Sequence, residues 1–206
     1  MRNSRLITRQ FETTQAGTAA RLTHSSTHNQ RPQSRRNARM ISVDIDGTVA
    51  DISKRVEYAL QFGPDGSVQF YGALLDGAHY HMDTPIEAAR DYLLKYKDEI
   101  KGDIVYLSGR REGTESESRA WLEKHGFPRG QIIHRRMGNR SLDFKLYWLR
   151  RFKASKWIDG HYGDRMQDDA AAARYAGIRF VHIVNHVWPE FNSSSFSRPT
   201  SNNDPS

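Results

Sequence analysis

From Met40 onward the chain alternates short apolar runs with longer stretches whose apolar residues recur every three or four positions. Ile41-Ser42-Val43-Asp44-Ile45-Asp46-Gly47-Thr48 predicts a strand that runs into two carboxylates and a glycine turn. Asp103–Leu107, Gln131–His134, Lys156–Asp159 and Ile178–Val184 predict four further strands, the first of them ending at Ser108-Gly109-Arg110. Thr84-Pro85-Ile86-Glu87 predicts a helix start, with a threonine cap, proline in the first helical position and glutamate three residues past the cap. Ile86, Ala89, Leu93 and Ile100 give that helix its apolar face. Thr114-Glu115-Ser116-Glu117 repeats the pattern and opens a helix carrying Trp121 and Leu122, stopped at Gly126. Leu142–Phe152 reads as an amphipathic helix with Lys145 near its start and Trp148, Leu149 and Phe152 in the core, and Gly163-Asp164 leads into a helix through Ala170–Ala173 to Gly177. Strand and helix in regular alternation predict an α/β fold, a parallel sheet flanked by helices.

Three segments lack a period. Residues 49–83 contain glycines, aromatics and a Gly63-Pro64-Asp65-Gly66 turn, and read as a small insertion over the mouth of the first strand. Beyond Pro189 the Ser/Asn/Pro-rich chain, residues 189–206, is expected to be a loose tail. Residues 1–39 are rich in Arg, Ser, Thr, Gln and Asn and are expected to be disordered, which leaves residues 40–188 as the folded domain.

Composition adds to this reading mainly through where the charge lies. Net charge is +7, but residues 1–39 hold eight arginines against the single acid Glu12, and the rest of the chain carries 23 basic and 23 acidic side chains. The body is therefore neutral, and the excess sits on the first segment. Three meanings of that segment stay open: an electrostatic arm making nonspecific contact with nucleic acid, a transit peptide, or an extension upstream of a protein that starts at Met40. No run approaches the roughly 18 apolar residues of a membrane span, so a cytoplasmic protein with no membrane partner is expected. Cysteine is absent, which excludes disulfides, thiolate nucleophiles and sulfur-bound zinc.

Four polar signals fall at or just past strand C-terminal ends: Asp44 with Asp46, Ser108, Lys145, and Asp164 with Asp168 and Asp169. In a parallel sheet those ends share one rim, so residues distant in sequence meet at one cleft. Carboxylates with a lysine and a hydroxyl describe a magnesium-dependent phosphoryl-transfer site, because oxygen ligands suit a hard cation that bridges to phosphate.

Asp44-Ile-Asp-Gly-Thr48, Ser108 after a buried strand, Lys145, and Gly163-Asp164 with a following acid resemble in order and spacing the four motifs of the haloacid dehalogenase-like (HAD) phosphohydrolases. Within that superfamily, Ser108-Gly-Arg-Arg-Glu-Gly-Thr114, Asp51-Ile-Ser-x-Arg55 and Pro85-Ile86 resemble the phosphatase domain of phage-type polynucleotide kinases. No Gly-x-x-x-x-Gly-Lys-Ser/Thr loop occurs, so the likeness lacks a kinase half.

The resemblance implies a Rossmann-like fold with residues 49–83 as a cap, and a role for each motif residue. Asp44 attacks phosphorus and forms an aspartyl-phosphate. Asp46 protonates the leaving oxygen and then activates water. Mg2+ is held by Asp44, the backbone carbonyl of Asp46 and Asp164, with a further acid behind them. Asp168 and Asp169 both offer that acid, and counting back from Ala176-Gly177 favours Asp169. Ser108 and Lys145 bind phosphoryl oxygens. Thr48, Gly109 and Arg110 are assigned to substrate binding, with a surface charge as the alternative for Arg110.

The implied substrate is a polynucleotide 3′-phosphate or a nucleotide. A small-metabolite phosphatase, or a noncatalytic nucleic-acid-binding module working through residues 1–39, remain the alternatives. His79/His81 and His182/His186 have metal-like spacings but read as packing or surface residues, while His79, His81, Tyr71 and Tyr80 of the insertion are open to a substrate-facing role.

Overall fold

The computed structural model describes residues 39–155 and 157–196. Strand β1 (Arg39–Val43) is the centre of a five-stranded sheet. Around it lie β4 (Asp103–Arg111), β5 (Gln131–Arg135), β6 (Trp157–Gly163) and β7 (Phe180–His182), in the order β5-β4-β1-β6-β7, every pairing parallel. Side chains alternate across the pleat. Ile41, Val43, Ile104 and Tyr106 enter the core on one face, under α3 (Glu87–Lys95) and α4 (Glu115–Lys124). Met40, Val105 and Leu107 enter the other, under α5 (Ser141–Ser155) and α6 (Ala171–Ala176). With both faces covered, each fully buried Ile or Val removes enough apolar surface from water to contribute roughly 1.5–3 kcal/mol.

The order of the strands positions the site. From β1 the chain builds outward through β4 and β5, then crosses to the other side for β6 and β7. The two halves diverge at β1, and a crevice opens there at the carboxyl ends of the strands.

Residues 49–83 form a small cap. It contains a two-residue strand β2 (Ala50–Asp51), helices α1 (Ser53–Leu60) and α2 (Val68–Leu74), and a 3-10 turn at Gly77–Met82. Ser67 caps α2 through the Phe70 amide at 3.1 Å. Among the described residues no helix is long and apolar enough to cross a membrane.

Several local expectations are corrected. Thr84 and Pro85 do not open a helix: they form strand β3, paired antiparallel with β2, and α3 starts at Glu87 without a side-chain cap. Pairing with β2 uses the backbone that the capping pattern had assigned to a helix end. α4 does begin after Thr114, but the Thr114 hydroxyl donates to the Arg111 carbonyl at 2.7 Å instead of capping the helix. β6 extends through Gly160 and Gly163, well beyond Asp159, while β7 is shorter than Ile178–Val184. Trp148 is only partly buried, unlike Leu149 and Phe152.

Both ends of the folded body also shift. Arg39 belongs to β1 and pairs with Asp159, whereas residues 1–38 and 197–206 lie outside the described residues. The segment after Pro189 is packed as far as Phe196, which is 2% exposed and stacks on Phe191. Trp188 stacks on Tyr162 and donates its indole N–H to the Thr48 carbonyl at 2.9 Å, which ties this segment to the loop after β1.

Candidate active site

The chain leaves β1 at Asp44, whose amide still bonds the Tyr162 carbonyl at 2.8 Å, and turns sharply at Gly47. Gly47 has φ +77°, and a Cβ there would lie 2.3 Å from the Asp164 carboxylate. Only glycine lets this turn close against the end of β6. Two networks of charge grow from the turn, one from each acid.

Asp44 is 3% exposed, and its Oδ2 lies 3.0 Å from Nζ of Lys145, the fifth residue of α5. Lys145 also donates to Asp169 Oδ1, and Asp169 is fixed further by His161 Nε2 at 2.9 Å and by the Arg165 amide at 3.1 Å. Asp164 accepts from the Thr48 hydroxyl at 3.4 Å. Asp44, Asp164 and Asp169 each offer a carboxylate oxygen, all within 4.8 Å of one another. Burial raises the Asp44 carboxyl well above its ordinary range; Lys145 opposes the rise, and Asp169 and Asp164 add to it. Burial likewise raises Asp164, reinforced by Asp169. For Asp169 the burial cost is outweighed by Lys145 and His161, and its carboxyl is held low. Asp44 Oδ1 is buried without a hydrogen-bond partner. An all-oxygen donor set with surplus negative charge fits a hard divalent cation.

Asp46 turns to the other side. Its Oδ1 accepts from Arg110 Nε at 2.8 Å and Arg55 Nη2 at 2.7 Å. Both guanidiniums also bond Asp83, from Arg55 Nε at 2.8 Å and from Arg110 Nη2 at 2.6 Å. Arg110 Nη1 reaches Ser118 Oγ at 2.9 Å, and Arg55 Nη1 reaches the Leu74 carbonyl of the cap at 2.6 Å. The Tyr80 ring lies beneath both cations, 3.9 Å from the Arg110 guanidinium carbon and 4.8 Å from that of Arg55. Burial raises the Asp46 carboxyl, but Arg110 and Arg55 outweigh it and hold the group at about 2.

The cleft above these networks has a volume of about 190 Å³. It is lined by Asp44, Asp46, Gly47, Asp164 and Arg165, by Ile52, Tyr71, Leu74 and Leu75 of the cap, and by Gly109, Arg135, Ser141 and Lys145. The structure thus brings Asp44, Asp46, Lys145, Asp164, Asp169 and Gly109 together. Asp169, not Asp168, is the acid that enters the cluster; Asp168 pairs with Arg165 at 3.5 Å. Ser108 is fully buried beside the bulge where β4 loses register with β5, and its hydroxyl accepts from the Arg110 amide at 3.2 Å.

Two residues assigned to substrate binding are buried among protein partners. Arg110 is not a surface charge: it is fully buried with all its side-chain nitrogens engaged by Asp46, Asp83 and Ser118. Thr48 is also fully buried and serves Asp164. The Asp46 carboxylate, expected as acid and base and not as a cation ligand, lies in the arginine network, outside the three-acid cluster.

Of the insertion aromatics, Tyr71 lines the cleft, while Tyr80 lies 1% exposed beneath the arginines. His79 and His81 remain near the surface, the latter bonded to the Ala78 carbonyl, and His182 bonds the Asp164 carbonyl at 3.0 Å. Sequence reasoning assigned no role to Asp83, Ser118 or His161, and gave Arg55 none beyond a motif position. The signal for His161 was its place three residues before Asp164, on the strand that ends just before that acid.

No protein-family model and no curated protein matches the chain. Solved structures do. A chain of a Pnkp1/Rnl/Hen1 complex superposes with a TM-score of 0.56 at 16% identity over 80% of this chain and 52% of that one. A haloacid dehalogenase-like hydrolase of Streptococcus pneumoniae gives 0.51 at 15% identity, covering 71% and 85%. A class C acid phosphatase of Bacillus anthracis gives 0.51 at 20%, covering 75% and 68%. The chain spans about half the length of the Pnkp1-complex chain it matches. At these identities the likeness is one of architecture, and on that ground the chain has the fold of the haloacid dehalogenase-like hydrolases.

Proposed function

We propose that the body running from Arg39 to Phe196, with residues 49–83 as cap, forms a magnesium-dependent phosphomonoester hydrolase acting on a polynucleotide 3′-phosphate or a nucleotide. The observation that carries this reading is the Asp44 carboxylate: one oxygen held by Lys145 at 3.0 Å, the other buried and free, at the meeting point of the strands. Asp44 Oδ1 is positioned as a nucleophile. Its attack forms an O–P bond as the bond from phosphorus to the leaving oxygen breaks, and the aspartyl-phosphate is then opened by water, which restores the carboxylate. Lys145 offsets charge on the phosphoryl oxygens throughout, and Gly109 lines the cleft from the β4 bulge, with Ser108 buried beside it. Asp44, Asp164 and the Asp46 carbonyl are the groups that would hold Mg2+, with Asp169 behind them; the bound ion neutralises the phosphoryl group and the surplus carboxylates.

Asp46 follows from its arginines. Held at about 2, it is a carboxylate at neutral pH, ready to take the proton from the attacking water. The same arginines oppose its protonation, so protonation of a poor leaving group is the harder of its two tasks, and aryl phosphates should turn over much faster than alkyl phosphates. The purified protein with Mg2+ is expected to hydrolyse an aryl phosphate, and Asp44→Asn to abolish this while leaving circular dichroism unchanged. Undiminished turnover in that variant would sink the mechanism.

A further inference from the structure

We propose that Arg135 is a second anion subsite beside the phosphoryl position, so that the preferred substrate is a nucleotide unit phosphorylated on both sides of its sugar, whether free or at a strand end; this rests on the phosphatase reading above. The other cations in and under the cleft are already matched. Arg55 and Arg110 face Asp46 and Asp83, Lys145 faces Asp44 and Asp169, and Arg165 faces Asp168. Arg135 is different. It lines the same cleft, yet its bonds go to neutral acceptors: Nε to the Gly109 carbonyl at 3.3 Å and Nη1 to the Asn139 carbonyl at 2.6 Å. Among the described residues no carboxylate comes within 4.0 Å of it.

A partly buried guanidinium, tethered at two points and with neither bond using Nη2, is oriented before any ligand arrives. Its planar fork matches the oxygens of a phosphate. Ser141, the first residue of α5, lines the same cleft, and the unpaired amides of a helix start favour an anion there. The cap lends the same cleft Tyr71, 45% exposed, whose ring offers a face on which a base of any identity stacks. A sugar monophosphate reaching Asp44 leaves Arg135 unmatched and Tyr71 bare. A nucleotide unit with a phosphate at each end of its sugar uses all three.

The test is equilibrium binding by calorimetry to the full-length Asp44→Asn protein in Mg2+, which holds ligands without turning them over. Adenosine 3′,5′-bisphosphate is expected to bind about tenfold tighter than adenosine 3′-monophosphate, the size of one charge-assisted contact. A 3′-phosphorylated dinucleotide, whose second anion is a phosphodiester, should match the bisphosphate. Arg135→Gln should remove the preference, and Arg135→Lys should keep part of it. Equal binding of the bisphosphate and the monophosphate, or a preference that survives Arg135→Gln, overturns the subsite. The first comparison needs no change at Arg135, so it decides even if the Gln variant does not fold. Aryl phosphate turnover by the unmodified protein reports the phosphatase reading separately.

Discussion

The two charge networks that diverge from Asp44 and Asp46 are built from the same residue types but closed differently. Around Asp46, two guanidiniums face two carboxylates, the aromatic ring of Tyr80 seals them, and the charge balances within the protein. Around Asp44, three carboxylates face the single ammonium of Lys145, and one oxygen has no partner. A closed network fixes geometry, whereas an open one leaves room for a ligand. The difference assigns the labour: the arginine side holds Asp46 ionised and anchors the cap through Leu74, and on the proposed reading the aspartate side is where a cation and a phosphoryl group bind.

The comparison breaks most severely if the closed network loses a member. Arg110→Ala leaves Asp46 and the fully buried Asp83 short of a counter-charge and should cost about 3–5 kcal/mol, read as a lowered urea midpoint. A loss below 1 kcal/mol would mean the network is not closed as described. On the open side, Mg2+ at a hundredfold its dissociation constant should stabilise the protein by about 2.7 kcal/mol, visible as a raised Tm. Asp164→Asn should remove most of that gain, and Arg136→Gln, on the surface beside Glu112, should leave it intact. A metal-induced shift that persists in Asp164→Asn would place the cation elsewhere.

A smaller effect concerns pH. Asp46 is held at about 2 in the folded protein against an ordinary 3.8, so it binds its proton less readily folded than unfolded. Its contribution is fully present above the unfolded value and is lost as pH falls through about 4 toward 2, an effect of about 2 kcal/mol. Between pH 5 and 2.5 the stability of the unmodified protein should therefore fall more steeply than that of Asp46→Asn. Parallel slopes would contradict the arginine hold on Asp46.

How much of this was legible in the sequence also divides along the two networks. Asp44, Lys145, Asp164 and Asp169 are set by local grammar: a β-branched strand running into a glycine turn, a lysine near a helix's start, acids just after a strand. Parallel topology then collects them on one rim. The arginine network has no such grammar. Arg55 and Asp83 are 28 residues apart in a segment without period, and Arg110 looks like a loop cation until β4 is seen to continue through it. His161 lies beyond the expected strand end at Asp159, between Gly160 and Gly163, yet β6 continues through it. Thr84 and Thr114 both satisfy the capping pattern, yet one is claimed by a strand pairing and the other by a carbonyl, because tertiary contacts outbid local preference. Phe196 was hidden by the Ser- and Asn-rich composition around it, although a single aromatic is enough to dock a segment.

The central claim is that the open oxygen of Asp44 is the nucleophile. Acid-quenching a single turnover of an aryl phosphate in Mg2+ and mapping the peptides by mass spectrometry tests it most directly. A phosphoryl group on the peptide containing Asp44, absent from Asp44→Asn, is the predicted result; turnover with no phosphorylated protein at any quench time, or a phosphoryl group on another residue, would contradict the account.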